Sequence, residues 1–394
     1  MKYCVLIMDG AAGWPLKECG SKTSLELART PNLNYLASTG SVGLTNTIPS
    51  GMEPSSAVAC MSLLGYNPET YYRGRAAIEA VSMGIPIAQN EVVFRCNLVA
   101  IKNGRMWSYC AGQITSEESC QLISALNEHL GSDEIRFFPG VGYRHLLKIT
   151  NHMETSEAVC TPPHDISQMA VAEYLPKGRG SRLLNKLMLD SQQLLMNQPI
   201  NFSRVACGKI PATSVWLFWG SGPIPHMPSF NEVYKKRAAL TSGVDLLRGL
   251  GQMMNMTVLN IHGVTDNINN DFSMQAVGAL SALADHDLVV IHVEAPDEAG
   301  HAGNASEKIA AIEKIDSEIV SRLVEYKEQL RVLVMPDHPT PVVLRTHVAE
   351  PVPFLIWGKD VASNGACRFT EGEALRTGMV VQNGFEIVKQ FIGA

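Results

Sequence analysis

No apolar stretch in the sequence approaches the roughly 18 residues a membrane-spanning helix needs, so helical membrane proteins are excluded. Cationic excess is missing too. Lys and Arg number 32 against 38 Asp and Glu, a formal charge of −6, which leaves no basic footprint for nucleic acid or an anionic membrane surface. Any attraction for a phosphorylated substrate must therefore be local. The nine cysteines include no C-x-x-C pair and are odd in number. With Met1-Lys2 leading straight into a strand and no secretory signal in view, reduced thiols and a cytoplasmic location are the expectation. Internal repeats and low-complexity tracts are absent. What remains is an ordinary globular composition, 46% apolar and 18% charged over 394 residues. That length suits two or three domains, or one large α/β domain carrying an insertion.

Three apolar runs end in a carboxylate. Leu288 to Val293 (LVVIHV) leads through Pro296 to Asp297, with His301 four residues on. Tyr3 to Met8 leads into Asp9-Gly10, and Arg331 to Met335 leads through Pro336 into Asp337-His338, with His347 further along. β-Branched, nearly uncharged runs of this kind suit strands buried on both faces of a parallel sheet, and ligands of such sheets bind beyond the strands' C-terminal ends. Asp297 and His301 are expected in the turn after their strand. A lone Asp there is most often a cap or turn residue. The same event three times, in a chain with only 11 His, points instead to a shared edge. Three carboxylates and three imidazoles suffice for two divalent ions with positions left open for substrate.

Along the rest of the chain, Thr30-Pro31 starts a helix that ends before Gly40. Ser55 and Ser56 come after Pro54 at the start of the helical run AVACMSLLG, where backbone N–H groups favour an anion. Helix capping and phosphate acceptance are both open to them. Cys60, in the same run, reads as packing. Arg73 and Arg75 flank Gly74 in YYRGRA, a pattern suited to bidentate capture of phosphate or simply to a solvated loop. From about residue 91 the texture becomes antiparallel. Strands over 92–101 and 136–149 enclose a helix over 116–130, an α+β insertion of residues 91–170 within a core of 1–90 and 171–394. Arg95, Arg144 and His145 of that insertion could hold substrate, and His164 sits in its proline-rich return, CTPPHDIS. Further on, the pattern predicts a helix over 177–197, a strand over 214–220, a helix over 240–254, a strand over 256–261 and a helix over 272–284. The fold class expected is α/β, a doubly wound, mostly parallel sheet with a smaller inserted cap domain.

Asp9-Gly10, Ser56 before LLGY, YYRGR, DEAGH, PDHPTP and His347 before PVPF together resemble the cofactor-independent phosphoglycerate mutases of the archaeal type, within the alkaline phosphatase superfamily. The resemblance runs over nearly the whole chain. It implies one divalent ion on Asp297, His301 and His347 and another on Asp9, Ser56, Asp337 and His338, manganese foremost, with zinc, magnesium or cobalt admissible. It implies that Ser56 carries the phosphoryl group between the two hydroxyls of glycerate, so the partner is a small phosphorylated metabolite. A homo-oligomer is compatible with it. The family's usual Gly-Ser-Asp reads Ser55-Ser56-Ala57 here, its lysine before a later helix is matched to Arg237, and its Thr-Gly loop reads Thr265-Asp266. The motifs CTPPHDI, YRHLL and VEAPDEAGH also resemble a bacterial subgroup for which a homoserine kinase role has been proposed. Two alternatives to the mutase stand beside it, a related phosphotransferase with a different acceptor and, from Ala57, a metal-binding pseudoenzyme.

Overall fold

The structure, a computed structural model, describes residues 1–326 and 328–393. It divides into two compact units, Met1–Tyr72 with His226–Ala394, and Arg73–Pro225.

The first unit is built on β1 (Lys2–Met8), β2 (Ser41–Thr45) and six strands from the C-terminal half, which come after β3 to β7 of the second unit: β8 (Ala238–Thr241), β9 (Thr257–Val258), β10 (Leu288–Val293), β11 (Leu330–Met335), β12 (Val352–Gly358) and β13 (Val380–Val381). Their spatial order is β13-β2-β12-β11-β1-β10-β8-β9. Only β12 runs antiparallel to its neighbours. β1 lies between β10 and β11 in parallel register, with Met8 opposite Val293 and Ile7 opposite Met335. That register is the physical reason the site exists: three parallel strands ending level deliver their C-terminal loops to one edge. β10 is buried along its whole length and β1 nearly so, as helices on both faces require. Phe272–Ala282, Pro31–Thr39 and Ala305–Lys314 supply Phe272, Leu33, Leu36 and Ile312 to the core around Leu6, Ile291 and Val334.

The second unit is an antiparallel sheet of β3 (Glu91–Lys102), β4 (Arg105–Ser108), β5 (Ile135–Phe138), β6 (Arg144–Thr150) and β7 (Ser214–Ser221), ordered β4-β3-β6-β5 with β7 also paired to β3. The Ser116–Leu130 helix, opened by a reciprocal Thr115–Glu118 capping box, and the Ser181–Leu195 helix pack Leu122, Leu126, Leu184 and Met188 onto Phe94, Leu147 and Trp216, this unit's own core.

Several expectations need correction. The second unit is wider than residues 91–170, because β7 pairs with β3 over Val93–Val99 and the Arg75–Ser82 helix packs Ala76, Ala77 and Ala80 against Val93 and Leu146. The helix expected over 240–254 begins only at Asp245. Residues 238–241 form β8, paired parallel with β10, an override of local helical preference by sheet pairing. The strand expected over 256–261 is reduced to Thr257–Val258. Asp297 and His301 lie in a helix, Ala295–Ala302, since Pro296 ends the strand and, in the first turn, starts the helix. Among the described residues, no helix is long and apolar enough to cross a membrane.

Candidate metal centre

The three loops beyond β1, β10 and β11 converge as the register demands. On the Ala295–Ala302 helix, Asp297 and His301 are one turn apart and so share a face, with His301 Nε2 3.2 Å from Asp297 Oδ2. His347 completes this group, its Nε2 3.5 Å from Asp297 Oδ1 and 2.8 Å from His301 Nε2. His301 Nδ1 meets the Arg345 carbonyl at 2.9 Å. A carbonyl only accepts, so Nδ1 carries the hydrogen and the neutral ring presents an Nε2 lone pair. With no cation present, the Asp297 hydrogen bond raises the His301 pKa to about 9. Asp297 is held well below the carboxylate range: desolvation opposes this, and the hydrogen bonds from His301 and His347 outweigh it.

The adjoining group centres on His338 Nε2, which lies 3.1 Å from Asp337 Oδ2, 3.6 Å from Asp9 Oδ1 and 3.1 Å from Ser56 Oγ. Asp337 spends Oδ1 on the backbone N–H groups of Gly10 and His338, leaving Oδ2 facing the site. The His338 and His347 rings stack with centroids 3.9 Å apart, so the two groups adjoin. Ser55 and Ser56 have separate tasks. Ser55 is the N-cap of the Ser56–Leu63 helix and accepts from the Val58 N–H, which frees Ser56 to turn its oxygen to His338.

The donors fit divalent cations. Asp9, Asp337 and His338 form one buried set and Asp297, His338 and His347 another, each with ligand atoms mutually within 4.8 Å. Asp9 Oδ1 is buried with no hydrogen-bond partner among the described residues, a cost that a cation would remove. Burial, with Asp337 and Asp297 adding repulsion, pushes the Asp9 pKa well up, while burial lowers that of His338 to about 4. Carboxylates together with imidazoles suit manganese or zinc.

Sequence reasoning missed four residues here. His292 sits inside β10, where its strand position hid it. Its Nε2 is 2.8 Å from Asp9 Oδ2 and its Nδ1 2.9 Å from Ser242 Oγ, orienting Asp9 from behind. Glu294, just past β10, has a buried carboxyl whose pKa is raised, first by desolvation and then by Asp9. Thr340 donates its hydroxyl to Asp297 Oδ1 and lies 3.2 Å from His338 Nδ1. Cys60, one turn beyond Ser56, is more than packing, since its thiol reaches Asp337 Oδ2 at 3.4 Å. A polar residue interrupting an apolar run was the available signal for His292.

Of the expected substrate residues, Arg237 is not brought to this edge. It precedes β8 and pairs with Asp287, which precedes β10, so parallel register puts it at the opposite end of the strands. The other six lie in the second unit. Arg75 and Arg95 both pair with the buried Glu79, and Arg95 also donates to Asn97. Arg75 stacks over Trp219. Arg73 and Arg144 are exposed. His145 is buried, accepts the Gly140 N–H at Nδ1, and is lowered to about 3, chiefly by burial, so it is neutral. His164 sits edge-on among Tyr109, Phe218 and Trp219.

A parallel α/β unit with two adjoining carboxylate–imidazole groups and a serine oxygen at a helix start defines a metal-dependent phosphotransferase. Relatives narrow the class. The family profile for 2,3-bisphosphoglycerate-independent phosphoglycerate mutase matches residues 37–201. The mutase of that name from Methanosarcina barkeri is 43% identical, covering 96% of each chain, and that from Methanothrix thermoacetophila is 42% identical over 100% of both. A solved protein from Pyrococcus horikoshii superposes with a TM-score of 0.83 at 26% identity, covering 100% of this chain and 96% of the other. The chain belongs to the 2,3-bisphosphoglycerate-independent phosphoglycerate mutase family.

Proposed function

We propose that the protein interconverts 3-phosphoglycerate and 2-phosphoglycerate through a phosphoserine at Ser56. The observation that carries this reading is the Ser56 oxygen, freed from capping by Ser55 and set 3.1 Å from His338 Nε2 beside Asp9 and Asp337. Asp297, His301 and His347 would hold one divalent cation, and Asp9, Ser56, Asp337 and His338 another, with manganese the ion we favour. Bound there, the cations would favour loss of the serine proton and offset negative charge on the phosphoryl oxygens. Ser56 Oγ bonds to phosphorus as the ester bond to the 3-hydroxyl oxygen breaks, and that oxygen takes up a proton. The glycerate then presents its 2-hydroxyl, which loses its proton as its oxygen takes the phosphoryl group and releases Ser56. Asp9 is kept in place by His292 and Ser242, and Asp297 and His338 by Thr340. The substrate is a small phosphorylated metabolite, and we place the enzyme in the cytoplasm, where its nine free thiols stay reduced.

Ala57, buried in the Ser56–Leu63 helix, stands where the resembling family carries an aspartate, and it keeps a different acceptor alcohol in contention. The deciding experiment supplies manganese-loaded protein with 3-phosphoglycerate and, separately, with ATP and homoserine. Formation of 2-phosphoglycerate is the expected result. Phosphohomoserine without 2-phosphoglycerate would replace this reading with the kinase, and turnover of neither would favour a pseudoenzyme.

A further inference from the structure

Lys308, on the Ala305–Lys314 helix, has no exposure to solvent. Burying an ammonium is costly unless its hydrogens are taken up, and here they go to two carbonyls, Ala12 O at 3.0 Å and Thr340 O at 2.7 Å. Those carbonyls belong to the two loops that carry Asp9 on one side and Asp337 with His338 on the other. Ala12 lies three residues beyond Asp9, and Thr340 lies three beyond Asp337 and two beyond His338. The loops also touch directly: Thr340 N–H donates to Ala12 O at 3.0 Å, and Pro339 bridges to Ala11 and Ala12. On its other side, the Thr340 hydroxyl binds Asp297 Oδ1 and contacts His338 Nδ1. Small residues leave room for the clamp. A Cβ on Gly300 would stand 2.8 Å from Thr340 Cγ2, and one on Gly13 3.4 Å from Lys308 Nζ. A Leu or Met at 308 would fill the same space without joining the loops.

We propose that Lys308 is a positioning residue of the phosphotransfer centre, its ammonium clamping the loops after β1 and β11 so that Thr340 holds Asp297 and His338 in register. The inference rests on the reading of Asp297 and His338 as cation ligands, and its test separates the two. In the full-length protein, Lys308→Met is compared with Ile312→Ala, a cavity variant one turn along the same helix that removes no polar contact. Two quantities are read: manganese affinity by calorimetric titration of chelator-treated protein, and hydrogen exchange of the Thr340 amide in the metal-free state. Lys308→Met is expected to weaken manganese binding at least tenfold and to speed Thr340 exchange at least tenfold. Ile312→Ala should lower the melting temperature as much or more with both quantities within about twofold of wild type. Lys308→Arg, which keeps donors for both carbonyls, should recover part of the affinity. If Lys308→Met does not fold, Lys308→Gln, shorter and able to reach one carbonyl at most, is expected to move both quantities in the same direction. Wild-type exchange at Thr340 in either Lys308 variant, or loss of affinity in Ile312→Ala equal to theirs, would overturn the clamp. If wild-type protein binds no manganese, the cation reading fails, and Thr340 exchange still decides whether Lys308 holds the loops.

Discussion

At the scale of single residues, Ser55 and Ser56 are neighbours whose oxygens face opposite duties, one toward the Val58 N–H and one toward His338. Ser56→Ala should abolish both turnover and the phosphoprotein trapped by acid quench with labelled 3-phosphoglycerate, leaving the fold intact. Ser55→Gly should retain both and cost only a few tenths of a kcal/mol in stability, since glycine is a tolerable N-cap. Label trapped in Ser56→Ala protein would put the nucleophile elsewhere. Asp297→Asn removes the one anion that His301 and His347 share, so elemental analysis should find one divalent ion fewer per chain; an unchanged count would show that the histidines bind without it. His301 also gives a pH signature. Its pKa is raised from 6.5 to about 9 in the folded, cation-free protein, with Asp297 the leading cause. The charged ring then contributes stability that is complete below 6.5 and fades as pH rises through 9. Relative to His301→Gln, metal-free wild type should therefore lose its melting-temperature advantage across that window. A cation needs the neutral ring, so metal binding at neutral pH should release a proton, visible as a buffer-dependent heat in calorimetry.

Elements place those residues, and here the glycine after β1 is decisive. Gly10 has φ +60°, and a Cβ there would lie 2.4 Å from Asp297 Oδ1 and 2.7 Å from Thr340 Oγ1. Gly10→Ala should cost more than the roughly 1–2 kcal/mol of left-handed backbone strain alone and disturb both cation groups, checked by denaturant unfolding and by metal stoichiometry. Normal stoichiometry with normal stability would show that the loop relaxes freely. The strands that carry the centre were legible because a buried parallel strand is largely apolar, and each of these three runs is followed within a few residues by an aspartate. Elements defined by long-range pairing were not. β8 resembles the start of the helix after it until β10 supplies its partner, and β7 becomes part of the second unit only through β3. Pro296 reads as a stop and is also a helix start. The match to Arg237 rests on motif alone, and motif carries no information about which end of a strand a residue occupies. Lys308 and His292 sit among apolar residues whose periodicity says buried, and nothing in their spacing says what they touch.

For the molecule as a whole, each unit has a core of its own, one around Leu6, Ile291 and Val334, the other around Phe94, Leu147 and Trp216. All the proposed cation ligands belong to the first. Replacing the second unit, Arg73–Pro225, with a short linker should therefore leave metal binding in place, checked by elemental analysis; loss of both ions would show that the first unit does not hold them by itself. The sheet order bears on how the enzyme comes into being. β1 leaves the ribosome long before its partners β10 and β11, which begin at residues 288 and 330. Asp9 therefore waits through most of synthesis, while the second unit, whose strands all lie between residues 91 and 221, can complete its sheet beforehand. A nascent chain halted after Val320 would hold Asp9, Ser56, Asp297 and His301 but neither Asp337, His338 nor His347. The proposed cation ligands Asp337, His338 and His347 are thus made after the others, and a chain halted before them carries an incomplete phosphotransfer centre.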